Sequence, residues 1–424
     1  MFVLAKLKMS IEAGNTLMVE GEARVSIISG RVDVFGLIAE RETFSIDKFK
    51  ALPFYVLENA DIEIEGGKAW LIEGRTIPDE WIKAVEEIKN MEKPVKVAVI
   101  GGIDAGKSGF ITFLTNNLLE KYKRVFVIDA DVGQSDIGPP TTIGLGVAEE
   151  KVAALGDIPL YDAVFVGSTS PYGIFHRCVS AISTLKDLAE KLGAESIILN
   201  TTGWVVDPGG RELKISKIQA FKPSTVIGLG EKGELEHLLK FFEKQFRVLR
   251  LPPAAYARRR SRDDRRAIRK FTYAKWFENS KEIEISFTNI ASAYSFIFSG
   301  SKFSVNELKL YSKIIGAKVL YGESCPEVYV FVVEDNSKVK IDRIATKKAL
   351  FLTPSFFKHL LVGISSREKM FEGLGIITDI DFQEWNMKIL TNVPCERAEN
   401  IQFGYIKVDP KTFEEEKRIE RWSF

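Results

Sequence analysis

The sequence predicts an α/β protein: a doubly wound, mostly parallel sheet built around a P-loop at the centre of the chain, flanked by N-terminal and C-terminal β-rich domains. Three observations carry this. Apolar, strand-length runs alternate with helix-like segments from "VKVAVIGG" to "FRVLRLP". The first of those strands runs straight into a G-x-x-x-x-G-K-[ST] turn that opens a helix-like pattern. Before about residue 90 and after about residue 280, short alternating runs broken by Gly, Asn and Asp replace that rhythm. The boundaries expected are 1–90, 91–279 and 280–424.

In the first segment, "NTLMVEGEARVSIISGRVDVFG" and "DIEIEGGKAWLIEG" alternate apolar and polar residues, as antiparallel strands do. A linking helix, "IPDEWIKAVEEIKNMEK", then leads to Pro94. The central strands are "VKVAVIGG", "RVFVIDAD", "DAVFVGS", "ESIILNTTG", "STVIGLG" and "FRVLRLP", each built on an apolar run as buried strands are. Beyond residue 280, "KEIEISFTN", "AKVLYGE", "EVYVFVVEDN", "KHLLVGISS" and "IQFGYIKVDP" return to strand.

The chain of 424 residues exceeds one comfortable core, in keeping with several domains. Lys plus Arg number 59 against 58 Asp plus Glu, so global charge argues for neither nucleic acid nor membrane. Three cysteines and three histidines lie scattered, which argues against a disulfide framework or a zinc site. Without an apolar run of bilayer length or a secretory leader, a cytoplasmic protein with no membrane partner is expected.

The turn at the end of the first central strand is Gly101, Gly102, Ile103, Asp104, Ala105, Gly106, Lys107, Ser108, followed by Gly109. Glycines let backbone N–H groups turn inward around an anion at a helix N-terminus. Lys107, expected on a surface-facing loop, adds a point charge for phosphates, and the Ser108 hydroxyl can ligate Mg²⁺ or another divalent cation.

In open parallel sheets, ligands gather beyond the carboxyl ends of the strands. After "RVFVI" stand Asp129 and Asp131, which project to the same side of an extended backbone, with Gln134 beyond. One carboxylate can organise a metal shell while the other accepts a proton. Thr169 and Trp204 follow two further strands, where a hydroxyl suits phosphate or ribose and an indole offers a face to a base. The run "YARRRSRDDRRAIRKF" carries seven arginines and one lysine against two aspartates between Arg258 and Lys270, a net charge of +6 after the last core strand. Such a run either is a solvated helix face or closes over phosphates.

Taken in order, "GGIDAGKS", "DADVGQSDIGPP", "GSTSP", "NTTGW" and "RRRSRDDRRAIRKF" resemble the polynucleotide 5′-hydroxyl kinases. That family includes the kinase subunit of the pre-mRNA cleavage and tRNA-splicing complexes and the rRNA-processing kinases. The resemblance implies transfer of the γ-phosphate of ATP to a 5′-hydroxyl end of RNA or DNA. It implies Asp131 as general base, Asp129 and Gln134 shaping the metal and acceptor site, and Thr169 and Trp204 clamping the terminal nucleotide. Arg262, Arg266 and Arg269 would form a mobile lid, although the register inside the run is open by a few positions. Where many relatives carry a second hydroxyl residue after the P-loop serine, this chain has Gly109.

Two other readings compete. A GTPase is disfavoured because no N-K-x-D-like segment follows a late core strand, and a partitioning-type ATPase because the loop has no early lysine. An ATP-bound, non-catalytic scaffold of an RNA-processing assembly is the alternative from another class.

Overall fold

The structure, a computed structural model, describes residues 6–256, 260–288 and 290–424. Arg258 and Arg259 of the arginine run lie outside the described residues. The chain divides into two compact units. The first runs to Gly138 and takes in Ile143–Ala163 and Ser170–Ile268; the second comprises Pro139–Thr142, Val164–Thr169 and Arg269–Phe424.

In the first unit, β1 (Lys6–Ile11), β2 (Asn15–Val34), β3 (Leu37–Ala39), β4 (Thr43–Ile46) and β5 (Ala51–Glu73) make an antiparallel sheet in the order β1-β5-β2-β3, with β4 on β2. The alternation seen in the sequence is the reason. Leu17, Val19, Val25 and Ile27 of β2 and Phe54, Val56, Ile62 and Ile64 of β5 point inward and are buried. Helix α1 (Asp79–Lys89) follows and buries Trp81, Ala84, Val85 and Ile88, the one-sided stripe of an amphipathic helix.

The central elements are β6 (Val95–Gly101), α2 (Lys107–Leu118), β7 (Val125–Ala130), β8 (Thr142–Ala148), β9 (Leu160–Phe165), α3 (Phe175–Lys191), β10 (Ser196–Thr201), α4 (Asp207–Phe221), β11 (Thr225–Leu229), α5 (Glu236–Phe242), β12 (Arg247–Leu251) and α6 (Arg262–Trp276). The strands form one sheet in the order β12-β11-β6-β10-β7-β8-β9. The five strands from β12 to β7 are parallel, and β8 runs antiparallel to β7. Helices α1 and α2 pack together, as do α3 with α4 and α4 with α5, giving the helical layers that parallel strands require. The chain leaves β6, passes the position of β10 to form β7, and only later returns to β10 and β11 on either side of β6. The strand order therefore reverses at β6, which puts the crevice of the open sheet at the end of that strand.

The second unit contains β13 (Lys281–Ser286), β14 (Ala291–Ala293), β15 (Ser301–Lys302), α7 (Val305–Ile315), β16 (Val319–Ser324), β17 (Val328–Val333), β18 (Arg343–Ile344), β19 (Lys347–Leu352), α8 (Pro354–Phe357), β20 (Leu360–Ser365), β21 (Gly373–Asp381), β22 (Asn386–Thr391), β23 (Asn400–Val408) and β24 (Glu415–Arg418). They form two sheets, β13-β22-β21-β20-β23-β14 with β24 on β23, and β15-β16-β17-β19-β18. The β-rich character expected after residue 280 is present. Among the described residues, no helix is long and apolar enough to cross a membrane.

Candidate functional site

Strand β6 is buried to its last residue, and the chain turns at Gly101 into the phosphate-loop motif. The turn is made by left-handed backbone at Asp104 and Gly106, with φ of 58° and 89°. At Gly106 a Cβ would stand 2.4 Å from the Ala254 Cβ, so only glycine combines that φ with that approach. Helix α2 starts at once with Lys107 and Ser108, aiming its unpaired N–H groups into the loop. Ile103 stands exposed at the tip and Ala105 is buried beneath.

Lys107 is not on the surface. It is 8% exposed, and its ammonium donates to the carbonyl oxygens of Gly102 (2.7 Å) and Gly101 (3.1 Å). A first helical position tucked under the loop it closes is enclosed by that loop, which corrects the expectation of an exposed lysine. Burial pulls its ammonium below the usual value, while Asp131, Asp104, Asp129 and Glu234 pull the other way.

The acidic loop after β7 divides its labour differently from the expectation. Asp129 is fully buried, and both its carboxylate oxygens are occupied. One takes Asn200 Nδ2 (2.9 Å) and the Asp131 N–H (3.2 Å). The other takes the Asp136 N–H (2.6 Å), the Ile137 N–H (3.1 Å) and the Ser135 hydroxyl (3.2 Å). Burial, with repulsion from Asp136 and Asp131, pushes this carboxyl up to about 6. The Ser108 hydroxyl donates to Asp136, not to Asp129, at 2.7 Å. Asp136 also holds the Lys50 ammonium, which comes from the turn before β5. Burial would raise the Asp136 carboxyl, but Lys50, Ser108 and Arg260 together hold it below the usual carboxylate value. Sequence reading missed Asp136, although it stands in the quoted "DADVGQSDIG"; an acid six residues past a strand end carries no periodic signal.

Asp131 is half-buried, and its Oδ1 accepts the N–H groups of Gln134 (3.2 Å) and Gly133 (3.3 Å). Among the described residues its Oδ2 takes no hydrogen bond. Gln134 donates to the Gly133 and Arg265 carbonyls, and among the described residues its own Oε1 is buried without a partner.

Gly109 has a spatial reason. A Cβ there would lie 3.1 Å from the Phe35 ring, closer than ordinary van der Waals contact. The Phe35 turn is tied down by Asn116, whose Nδ2 donates to the Phe35 carbonyl at 2.9 Å.

Trp204 is half-buried at the start of α4. Its indole N–H donates to Asp207 at 2.8 Å, its ring lies against Gly209 and Gly210, and Phe175 meets it at 5.8 Å and a tilt of 59°. Thr169 belongs to the second unit, where it is buried and its hydroxyl accepts from Arg418 at 3.5 Å.

The arginine run forms α6, whose N-terminus is capped by the Ser261 hydroxyl donating to Asp264 and accepting the Asp264 N–H. Asp263 and Asp264 therefore serve the helix end. Arg262 and Arg266 are exposed. Arg269 lies in the second unit and forks onto Glu415 at 2.7 and 3.1 Å. Among the described residues, two other arginines of the run meet the P-loop. The Arg260 N–H bonds Asp104 at 2.8 Å, and the Arg265 guanidinium lies 3.9 Å from the same carboxylate. A pattern of eight cations could not show which would face the loop.

Comparison with known proteins agrees with this geometry. Residues 101–279 match the family described as the mRNA cleavage and polyadenylation factor CLP1 P-loop. The chain is 36% identical over 337 residues to the polyribonucleotide 5′-hydroxyl-kinase of Methanocaldococcus jannaschii, covering 78% of this chain and 92% of that one. It is 33% identical over 334 residues to the same-named protein of Pyrococcus furiosus, with 78% and 93% covered. Clp1p, solved in complex with Pcf11p, shares the fold with a TM-score of 0.69 over 95% of this chain and 98% of that one, at 14% identity. At 36% and 33% identity over 78% of its length, the chain belongs to the polyribonucleotide 5′-hydroxyl-kinase family.

Proposed function

We infer that the protein is an ATP-dependent polynucleotide kinase that phosphorylates the 5′-hydroxyl end of RNA. The observation that carries the reading is Asp131 at a strand end beside the P-loop, a carboxylate that among the described residues leaves one oxygen unbonded. Phosphoryl transfer needs alignment, removal of a proton and compensation of charge rather than covalent help from the protein. Asp131 takes the proton of the 5′-hydroxyl as its oxygen bonds to the γ-phosphorus, and the bond to the bridging oxygen breaks to release ADP. Lys107 exchanges its two carbonyl partners for phosphate oxygens, and the loop N–H groups hold the phosphate chain.

A divalent cation fits the oxygens present. The Ser108 hydroxyl and the Asp136 carboxylate, 2.7 Å apart, are hard donors of the kind Mg²⁺ takes. Asp136 thus replaces Asp129 in the metal's surroundings, and Asp129 holds the loop that presents Asp131 and Asp136. When bound, the cation would neutralise charge on the phosphate oxygens. Gln134, whose buried oxygen has no partner among the described residues, orients the acceptor, and Trp204 stacks on a base. Thr169 belongs to "GSTSP", the segment that the resemblance assigns to acceptor contact. Among the described residues, Arg260 and Arg265 are the arginines of the run that meet the loop; Arg262 and Arg266 gather the polyanion.

The test is to incubate the protein with γ-labelled ATP and oligonucleotides of RNA and of DNA that bear either a 5′-hydroxyl or a 5′-phosphate. Label on the 5′-hydroxyl RNA alone, or on both 5′-hydroxyl polymers, supports the reading and sets the acceptor range. Label on neither, with ATP bound, would establish the scaffold alternative.

A further inference from the structure

Helix α4 carries two lysines, Lys214 and Lys217, whose side chains are completely buried. Lysine is almost never fully buried without a strong reason, because an ammonium loses its hydration there. The two lie three residues apart on one face of α4, at positions that the stripe of Gly210, Leu213, Ile218 and Phe221 would otherwise fill with apolar side chains. Their bonds are specific. Lys217 Nζ donates to the Ala130 carbonyl at 2.9 Å. Lys214 Nζ donates to the Thr202 carbonyl and, at 2.8 Å, to the Thr202 hydroxyl.

Those acceptors sit at the carboxyl ends of neighbouring parallel strands. Ala130 is the last residue of β7, paired with Thr201 of β10. Beyond these residues the ladder stops, so the carbonyls need other donors. The Ala130 carbonyl belongs to the peptide that leads into Asp131, and Thr202 lies two residues before Trp204. Charged or titratable groups facing the two ammoniums are Lys107 and Asp131 for Lys214, Cys178, Asp131 and Asp129 for Lys217, and the two lysines for one another. Burial is the main influence on both, lowering their affinity for the proton.

We propose that Lys217 and Lys214 are positioning residues for the transfer reaction. Lys217 fixes the peptide that aims Asp131, and Lys214 fixes the strand end that presents Trp204. This rests on the kinase reading above. Both ends are held from a single rigid helix, so general base and acceptor loop keep a constant spacing. Lys→Met removes the donor at nearly constant volume and tests it.

The experiment measures kcat and KM for ATP and for a 5′-hydroxyl RNA in wild type, Lys217→Met, Lys214→Met and the corresponding Gln variants, with thermal unfolding of each. Wild type must label the RNA; if it does not, the kinase reading fails first and this proposal falls with it. With active wild type, Lys217→Met is expected to lower kcat roughly 100-fold, with KM for ATP within about twofold. In an Asp131→Asn background the same change should add less than about threefold, because the aimed group is already gone. Lys214→Met should raise KM for RNA about tenfold with a smaller effect on kcat. Gln, which keeps a donor, should recover part of each loss. Folded variants with wild-type constants, equal losses in every parameter, or failure of both Met and Gln forms to fold would each overturn the proposal in favour of simple burial.

Discussion

The hydroxyl of Ser108 and the carboxylate of Asp136 are joined by a 2.7 Å hydrogen bond across 28 residues of sequence. In the mechanism proposed above, this bond puts the metal-facing acid on the loop rather than at the strand end. Asp136→Asn is expected to raise the Mg²⁺ concentration needed for half-maximal rate by roughly tenfold or more, with unfolding temperature little changed. A Mg²⁺ titration of initial rates measures it. An unaltered titration would return the role to another acid.

Asp129 makes the opposite prediction. Its five accepted hydrogen bonds hold the loop together. Asp129→Asn, which turns an amide N–H toward those donors, should therefore lower stability by about 2 kcal/mol or more. The sign of the pH effect follows from the raised carboxyl. The folded value, about 6, lies above the ordinary 3.8. The favourable contribution of the protonated group is full below 3.8 and is lost as pH rises through about 6. The stability advantage of wild type over Asp129→Asn should shrink between pH 4.5 and pH 7, on the order of one to two pKa-equivalents of energy. Thermal melts of both proteins across that range provide the check.

Phe35 decides what position 109 accepts. A Cβ at Gly109 would stand 3.1 Å from the ring. Gly109→Ala should be near neutral, because about 1 kcal/mol of helix propensity offsets the crowding. Gly109→Thr should destabilise by about 1–3 kcal/mol. Adding Phe35→Ala should remove most of the second penalty, and a double-mutant cycle on unfolding free energies reads the coupling.

The arginines separate by partner. Arg269→Ala should act on stability, about 3 kcal/mol, because it leaves Glu415 largely buried without its fork. Arg262→Ala with Arg266→Ala should raise KM for RNA and flatten its salt dependence, as loss of phosphate contacts does. Arg265→Ala should lower the single-turnover rate at saturating RNA by at least about tenfold. Rates at low and high salt with saturating RNA distinguish these outcomes.

Trp204→Ala should weaken RNA use by about 1–3 kcal/mol, the contribution of one base stack, with ATP affinity nearly unchanged. The half-buried ring and its bond to Asp207 allow only a modest loss of stability. A large fall in unfolding temperature without a specific loss for RNA would make it a core residue instead.

The sequence by itself determined the α/β centre, the β-rich flanks, the phosphate loop and the kinase family, because each rests on local order along the chain. Apolar runs of strand length, a glycine turn between strand and helix, and motifs at successive strand ends are all written in consecutive residues. Only the tertiary structure decided which acid faces Ser108, what stands against Gly109, which of the described arginines reach Asp104, and what two buried lysines hold. Each of those depends on residues far apart in sequence: Asp136 with Lys50, Phe35 with Gly109, Arg260 with Asp104, Lys217 with Ala130. A side chain's role at such a place is set by what the fold brings against it. Hydrogen-bond satisfaction and burial, unlike periodicity, leave no mark on neighbouring positions.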